Sequence, residues 1–150
     1  HSADEIEAVL AHELGHFKMK HVFKLTCFLV LVSLIFFALL GALQQSPYIH
    51  EALNLDAFGS SYLLLAGFYF GLPPFLFLFR PLFSAYLRKN EFEADAYAAQ
   101  QAPAKDLIRA LIKLYKDNSS TLTPDKWYSA FYDSHPSASA RISKLEVSIN

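Results

Sequence analysis

The sequence predicts an all-α chain that crosses a membrane twice and returns to the side it left. Three observations carry that reading. Residues 25–43 (LTCFLVLVSLIFFALLGAL) and 62–79 (YLLLAGFYFGLPPFLFLF) contain no charged side chain, and a helix of the first run's length rises just under the roughly 30 Å of a bilayer's hydrocarbon core. Elsewhere apolar residues recur at helical spacing, and no alternating strand pattern stands out. Lys18, Lys20 and Lys24 precede the first run and Arg80, Arg88 and Lys89 follow the second, while the connecting segment has no lysine or arginine. By the positive-inside rule both flanks are cytoplasmic. A chain of 150 residues is too short to bury two charge-free runs of near-spanning length as core helices.

Composition agrees. Apolar residues make up 53% and aromatic residues 15% of the chain, high for a soluble domain of this size. A formal net charge of −1 offers no electrostatic basis for a nucleic-acid partner. Cys27 is the single cysteine and forms no internal disulfide. The chain opens at His1-Ser2 with neither an initiator methionine nor a signal-peptide pattern, so it is expected to be part of a longer protein.

The elements follow in order. Residues 2–24 are expected to form one helix, opened by a capping box of Ser2 and Glu5, with Ile6, Val9 and Leu10 at helical spacing. The first span, 25–43, leads into a non-cytoplasmic loop, 44–61 (QQSPYIHEALNLDAFGSS). The second span takes in the uncharged run and extends over 62–83, with a bend expected at Pro73-Pro74. A cytoplasmic helical region, 84–150, follows. Its first helix is SAYLRKNEFEADAYAAQQ; its second starts at Pro103 and places Leu107, Ile108, Leu111, Ile112 and Tyr115 on one face. Asn118 to Pro124 is a polar loop. Two short helices close the chain, the first capped by Thr123 and opened by Pro124. Asn118-Ser119-Ser120 matches a glycosylation acceptor that would be idle on the cytoplasmic side.

The helix before the first span carries His12-Glu13-Leu14-Gly15-His16, an H-E-x-x-H motif. Four residues apart, the two imidazoles share a helix face and can hold one zinc ion, with Glu13 beside them to take a proton from water. A catalytic zinc needs a third protein ligand. His21 is five residues after His16, and on a continuing helix it is rotated by about 140°. It therefore points elsewhere, and a role at the cytoplasmic interface is expected for it. Beyond the hairpin, Glu91 and Asp95 stand four apart on one helix face, with Glu93 rotated from Glu91 by about 200°. Glu91 suits the metal, and Asp95 suits the distal N–H of a ligand imidazole. A two-span hairpin brings these residues back to the face that carries His12 and His16.

HELGHFKMKH, two spans, NEFEADAYA and YDSHPSASAR occur in this order over nearly the whole chain. Together they resemble the type I CAAX prenyl proteases, integral-membrane zinc endopeptidases, and in particular their bacterial relatives. The resemblance implies one zinc per chain held by His12, His16 and Glu91, with Glu13 as catalytic base. It also implies a catalytic part for His135 in stabilising an oxyanion, and a supporting arginine at Arg141. Members of that family carry further spans upstream of the H-E-x-x-H helix. Those upstream transmembrane helices are expected partners of this chain.

The expected function is hydrolysis of peptide bonds in membrane-associated or lipidated, CAAX-type proteins at the membrane boundary. Expected partners are a peptide or protein substrate and membrane lipid, and the expected location is a bacterial inner membrane with the site on the cytoplasmic side. Ionisable residues close to membrane depth are costly and mark function. Two alternatives stand beside this: a membrane-protein quality-control protease without prenyl specificity, and a non-hydrolytic zinc-binding membrane protein. The second would not need Glu13 between the histidines.

Overall fold

The structure, a computed structural model, describes residues 2–54, 60–117 and 124–148. Among the described residues every regular element is an α-helix: α1 (Ala3–Lys18), α2 (His21–Gln44), α3 (Pro47–Leu53), α4 (Ser60–Gln101), α5 (Ala104–Asp117), α6 (Lys126–Tyr132) and α7 (Ala138–Val147). The chain divides into two compact units, one of His1–Val22 with Arg80–Asn150 and the other of Phe23–Phe79.

In the first unit, α1 starts with the capping box the sequence predicts. Glu5 N–H donates to Ser2 Oγ at 3.3 Å and Ser2 N–H donates to Glu5 Oε2 at 2.9 Å. Glu5 is itself buried and takes Lys113 Nζ of α5 at 2.7 Å on both oxygens, so the cap also ties α1 to α5. The buried face of α1 consists of Glu5, Ala8, Ala11, His12 and Gly15, while the larger Ile6, Leu10, Leu14 and Phe17 are exposed. Small residues let α1 approach its neighbours closely. A Cβ on Gly15 would meet Ala94 Cα at 3.0 Å and Ala94 O at 3.1 Å, which fixes α1 against the last turns of α4. The core joins Ala8 and Ala11 to Ala98 of α4, to Ala104, Leu107 and Leu111 of α5 and to Leu145 of α7. Ile112, expected on the core face of α5, is exposed, because the buried stripe runs through Asp106, Leu107, Ala110 and Leu111.

Four local expectations are revised. The helix expected over 2–24 breaks after Lys18: Met19 N–H closes back on Gly15 O at 2.9 Å, Lys20 turns left-handed at φ 56°, and α2 begins at His21. A left-handed residue just past the last turn is the usual helix stop, here supplied by a lysine. The predicted loop 44–61 contains α3, with Pro47 at its first turn and Asn54 left-handed at its end. The second span and the helix expected after it are one helix, α4, which continues through Pro73-Pro74 and Pro81. Prolines interior to an apolar helix are tolerated where neighbouring groups satisfy the freed carbonyls. The cap of α6 is Asp125, whose Oδ1 accepts from Trp127 N–H and Tyr128 N–H at 3.0 and 2.9 Å. Thr123, the expected cap, and the Asn118-Ser119-Ser120 acceptor lie outside the described residues.

In the second unit, α2 and the first part of α4 are long and apolar enough to cross a membrane. The 24 residues of α2 rise about 36 Å and the 42 of α4 about 63 Å, so only the uncharged first half of α4 is needed for a crossing. Phe36 meets Phe68 edge to face at 5.3 Å. Leu29, Ile35, Phe37, Phe70 and Phe75 are exposed, as expected of helices whose solvent is lipid. Ser33 satisfies its hydroxyl on Leu29 O at 2.8 Å. The fold is all-α and of the integral-membrane class.

Candidate metal centre

The first unit brings His12 and His16 of α1 against Glu91 of α4. One ligand atom from each lies within 4.8 Å of the others. His12 Nε2 and His16 Nε2 are 3.2 Å apart. Glu91 Oε1 stands 3.4 Å from His16 Nε2, and Glu91 Oε2 stands 3.7 Å from His12 Nε2. In a neutral imidazole only one nitrogen carries hydrogen. His12 donates its distal Nδ1 hydrogen to Asp95, which leaves its Nε2 a lone pair facing His16 Nε2 and the Glu91 carboxylate; His16 with its hydrogen on Nδ1 completes a set of three acceptors. Three converging acceptors repel unless a cation sits among them. Ligands about 2.0–2.2 Å from a tetrahedral zinc stand about 3.3–3.6 Å apart, close to the observed 3.2–3.7 Å. The residues fit zinc.

Each histidine is held from behind, in different ways. His12 Nδ1 lies 2.9 Å from Asp95 Oδ1 and donates to it. Asp95 is gripped by Arg141 of α7, whose Nε and Nη2 donate to Oδ2 at 2.7 Å and Oδ1 at 2.5 Å, a two-pronged geometry suited to arginine. Burial pushes the Asp95 carboxyl up, but the hydrogen bonds from His12 and Arg141 outweigh it and hold the group below the usual carboxylate range. Arg141 Nη2 also comes within 3.4 Å of His12 Nδ1; two hydrogen-bearing nitrogens make this proximity rather than a bond. Arg141 Nη1 lies 3.4 Å from Glu91 Oε2, so one buried guanidinium faces both carboxylates and offsets one of their two negative charges.

His16 turns its Nδ1 to His21 Nδ1 at 3.1 Å, and His21 Nε2 meets Glu93 Oε2 at 3.1 Å. Burial pushes the His16 imidazole down; Glu91 opposes this, while the His12 and His21 rings add to it. The net direction favours the neutral, metal-binding form.

Glu13, between the two histidines, is exposed and therefore open to water and substrate. His135 lies in the loop between α6 and α7. Its side chain is exposed, and its Nδ1 is 3.3 Å from Glu91 Oε1. That loop is fixed by Tyr115 O–H, which donates to Pro136 O at 3.2 Å, and by Arg88 Nη1, which donates to Ser129 O at 3.2 Å and Asp133 O at 2.7 Å. The expectation that His21 points away from His16 is overturned. It assumed a helix continuing through residue 20, and the left-handed Lys20 ends α1 and swings His21 back. His21 stays outside the converging ligand group. Glu93 faces His21 rather than that group, on the opposite side of α4 from Glu91. No glycine or proline signals the break, so sequence reasoning missed the pair.

Comparison with known proteins points the same way. A family model described as peptidase family M48 matches residues 1–149. CAAX prenyl protease 1 of Saccharomyces cerevisiae is 30% identical over 159 residues, covering 97% of this chain and 35% of the yeast protein. The CAAX prenyl protease 1 homolog of Homo sapiens is 34% identical over 145 residues, covering 96% of this chain and 30% of its own length. The crystal structure of S. mikatae Ste24p superposes with a TM-score of 0.81 at 29% identity, over 97% of this chain and 37% of that one. The chain thus spans about a third of the length of the relatives it matches.

Proposed function

From the premise that this chain belongs to peptidase family M48, we propose that it is the metal-binding part of an integral-membrane zinc endopeptidase that hydrolyses peptide bonds of membrane-associated and CAAX-type lipidated proteins. The observation that carries the proposal is the convergence of His12, His16 and Glu91 on the helix face beside Glu13.

Zinc, when held by His12, His16 and Glu91, supplies a Lewis acid that polarises the scissile carbonyl and brings the pKa of water near neutrality. The chain's own residues do the rest. Glu13, exposed beside the two imidazoles, takes the proton of the attacking water and hands it to the leaving amine. His135, exposed and next to Glu91, donates towards the oxyanion of the tetrahedral intermediate. Asp95 holds the Nδ1–H tautomer of His12, which leaves Nε2 as the binding atom. Arg141 keeps Asp95 ionised and in place.

The site lies on the cytoplasmic side of a bacterial inner membrane in this proposal. The basic flanks Lys18, Lys20, Lys24, Arg80, Arg88 and Lys89, against a connecting segment without lysine or arginine, support the side. The assignment to bacteria rests on the wording of the motifs.

The test is Glu13→Gln in the intact protein, with a farnesylated CAAX-type peptide and an unlipidated, misfolded membrane protein as substrates. Cleavage is expected to disappear with zinc retained, and sustained turnover would overturn the assignment. Cleavage of the unlipidated substrate alone would move the reading to quality control. Zinc without cleavage of either substrate by the wild type would move it to a non-hydrolytic binder.

A further inference from the structure

We propose that His21 is a positioning residue for His16, locked in turn by Glu93, so that the two metal-binding imidazoles are oriented by two different devices. The inference rests on the reading of His12, His16 and Glu91 as zinc ligands. His16 directs Nε2 at that group and Nδ1 away from it, 3.1 Å from His21 Nδ1. An imidazole that binds metal through Nε2 carries its hydrogen on Nδ1 and must donate there. His21 Nδ1 is then the acceptor, so the hydrogen of His21 is on Nε2, where Glu93 Oε2 receives it at 3.1 Å. The relay from His16 through His21 to Glu93 assigns one tautomer to each ring and leaves no ring nitrogen idle.

Three features show that the arrangement is built. His21 is 4% exposed, so water does not compete for its nitrogens. It reaches His16 only because Lys20 adopts φ 56°, a conformation costly for a residue with a Cβ. Its two partners come from opposite sides, His16 from α1 and Glu93 from α4, with Lys89 Nζ 3.7 Å from the other oxygen of Glu93. His21 is no fourth ligand, since each of its nitrogens is committed and neither joins the converging group. The contrast with His12 is chemical. His12 donates directly to a carboxylate, whereas His16 donates to a neutral ring, which fixes its plane while raising its basicity less.

Zinc affinity of the intact protein in detergent, measured by competition with a chelator, tests this. His21→Ala removes the acceptor, His21→Phe removes it while filling the space, and His21→Asn restores an acceptor oxygen near the Nδ1 position. The expected result is zinc binding weakened about tenfold or more by Ala and Phe, with Asn recovering most of the loss. Glu93→Ala should weaken binding in the wild-type background and have no effect beside His21→Asn. Recovery by Phe as good as by Asn, no recovery by Asn, or wild-type affinity in all three variants would overturn the proposal. Zinc lost in Glu91→Ala but kept in the His21 variants would overturn this inference alone. A wild-type protein that binds no zinc would overturn the ligand assignment beneath it.

Discussion

Replacing Gly15 by alanine tests whether the metal centre is set by how closely α1 lies on α4. A Cβ at this position would stand 3.0 Å from Ala94 Cα, 3.1 Å from Ala94 O and 3.2 Å from Tyr97 Cβ. The first two are backbone atoms and cannot rotate aside, so α1 must lift by about 0.4 Å to reach ordinary contact. Overpacking of this kind costs about 1–3 kcal/mol, against about 1 kcal/mol gained from the higher helix propensity of alanine. The expected net loss is about 0–2 kcal/mol. The larger consequence falls on the site, because His12 and His16 move with α1 while Glu91 stays on α4. Metal sites tolerate about ±0.2 Å, so zinc affinity should fall about tenfold or more. Thermal unfolding and chelator competition on Gly15→Ala read both effects. Gly41→Ala, in α2 at a position with nothing within 4 Å of the added Cβ, serves as control: it should gain only the propensity contribution of about 1 kcal/mol and leave zinc affinity unchanged. A Gly15→Ala protein that is more stable than wild type and holds zinc equally well would refute the close packing of the two helices.

Three further outcomes follow from the same contacts. Arg141→Ala strands Asp95, which is 3% exposed, and should cost about 3–5 kcal/mol; Arg141→Lys should recover only part of it, because the two-pronged grip on Asp95 is lost, and full recovery in a thermal melt would contradict that geometry. The hydrogen bond from Lys113, with the Ser2 N–H adding to it, holds the Glu5 carboxyl below its usual 4.5; since the folded value lies under the unfolded one, the stability it brings is complete above the unfolded value and is lost as pH falls through the folded one. The melting difference between wild type and Glu5→Gln should therefore be constant near neutrality and vanish in acid, and a difference that grows on acidification would reverse the sign. Lys20→Val should destabilise by about 1–2 kcal/mol, whereas Lys20→Gly should be neutral within about 0.5 kcal/mol; equal melting points would mean that the left-handed turn carries no cost.

Much of the candidate site was legible because its signals are local. Helix periodicity alone puts His12 with His16 and Glu91 with Asp95 on common faces, and two uncharged runs return the chain to the side it left. In the structure those two faces meet, with Asp95 Oδ1 2.9 Å from His12 Nδ1. The illegible parts depend on breaks and packing that no residue type announces. Lys20 stops α1 without glycine, asparagine or proline, so the rotation argument carried His21 past the point where the helix had ended. Residues 62–83 and the helix after them read as two elements in the sequence, whereas α4 runs on as one helix, because no residue type announces whether a helix that leaves an apolar run stops or continues. The buried face of α1 is the small one, through Ala8, Ala11 and Gly15, and large apolar residues at helical spacing marked the opposite side. Arg141, known only as an arginine six residues after His135, lies between Asp95 and Glu91; pairing across 46 residues leaves no local trace.

The central claim is that α1 and α4 build one zinc site from His12, His16 and Glu91. The most direct measurement is zinc content per chain of the detergent-purified protein beside a Glu91→Ala variant. The account predicts about one zinc per chain, lost or greatly weakened in Glu91→Ala. A variant that keeps its zinc at wild-type affinity would contradict it.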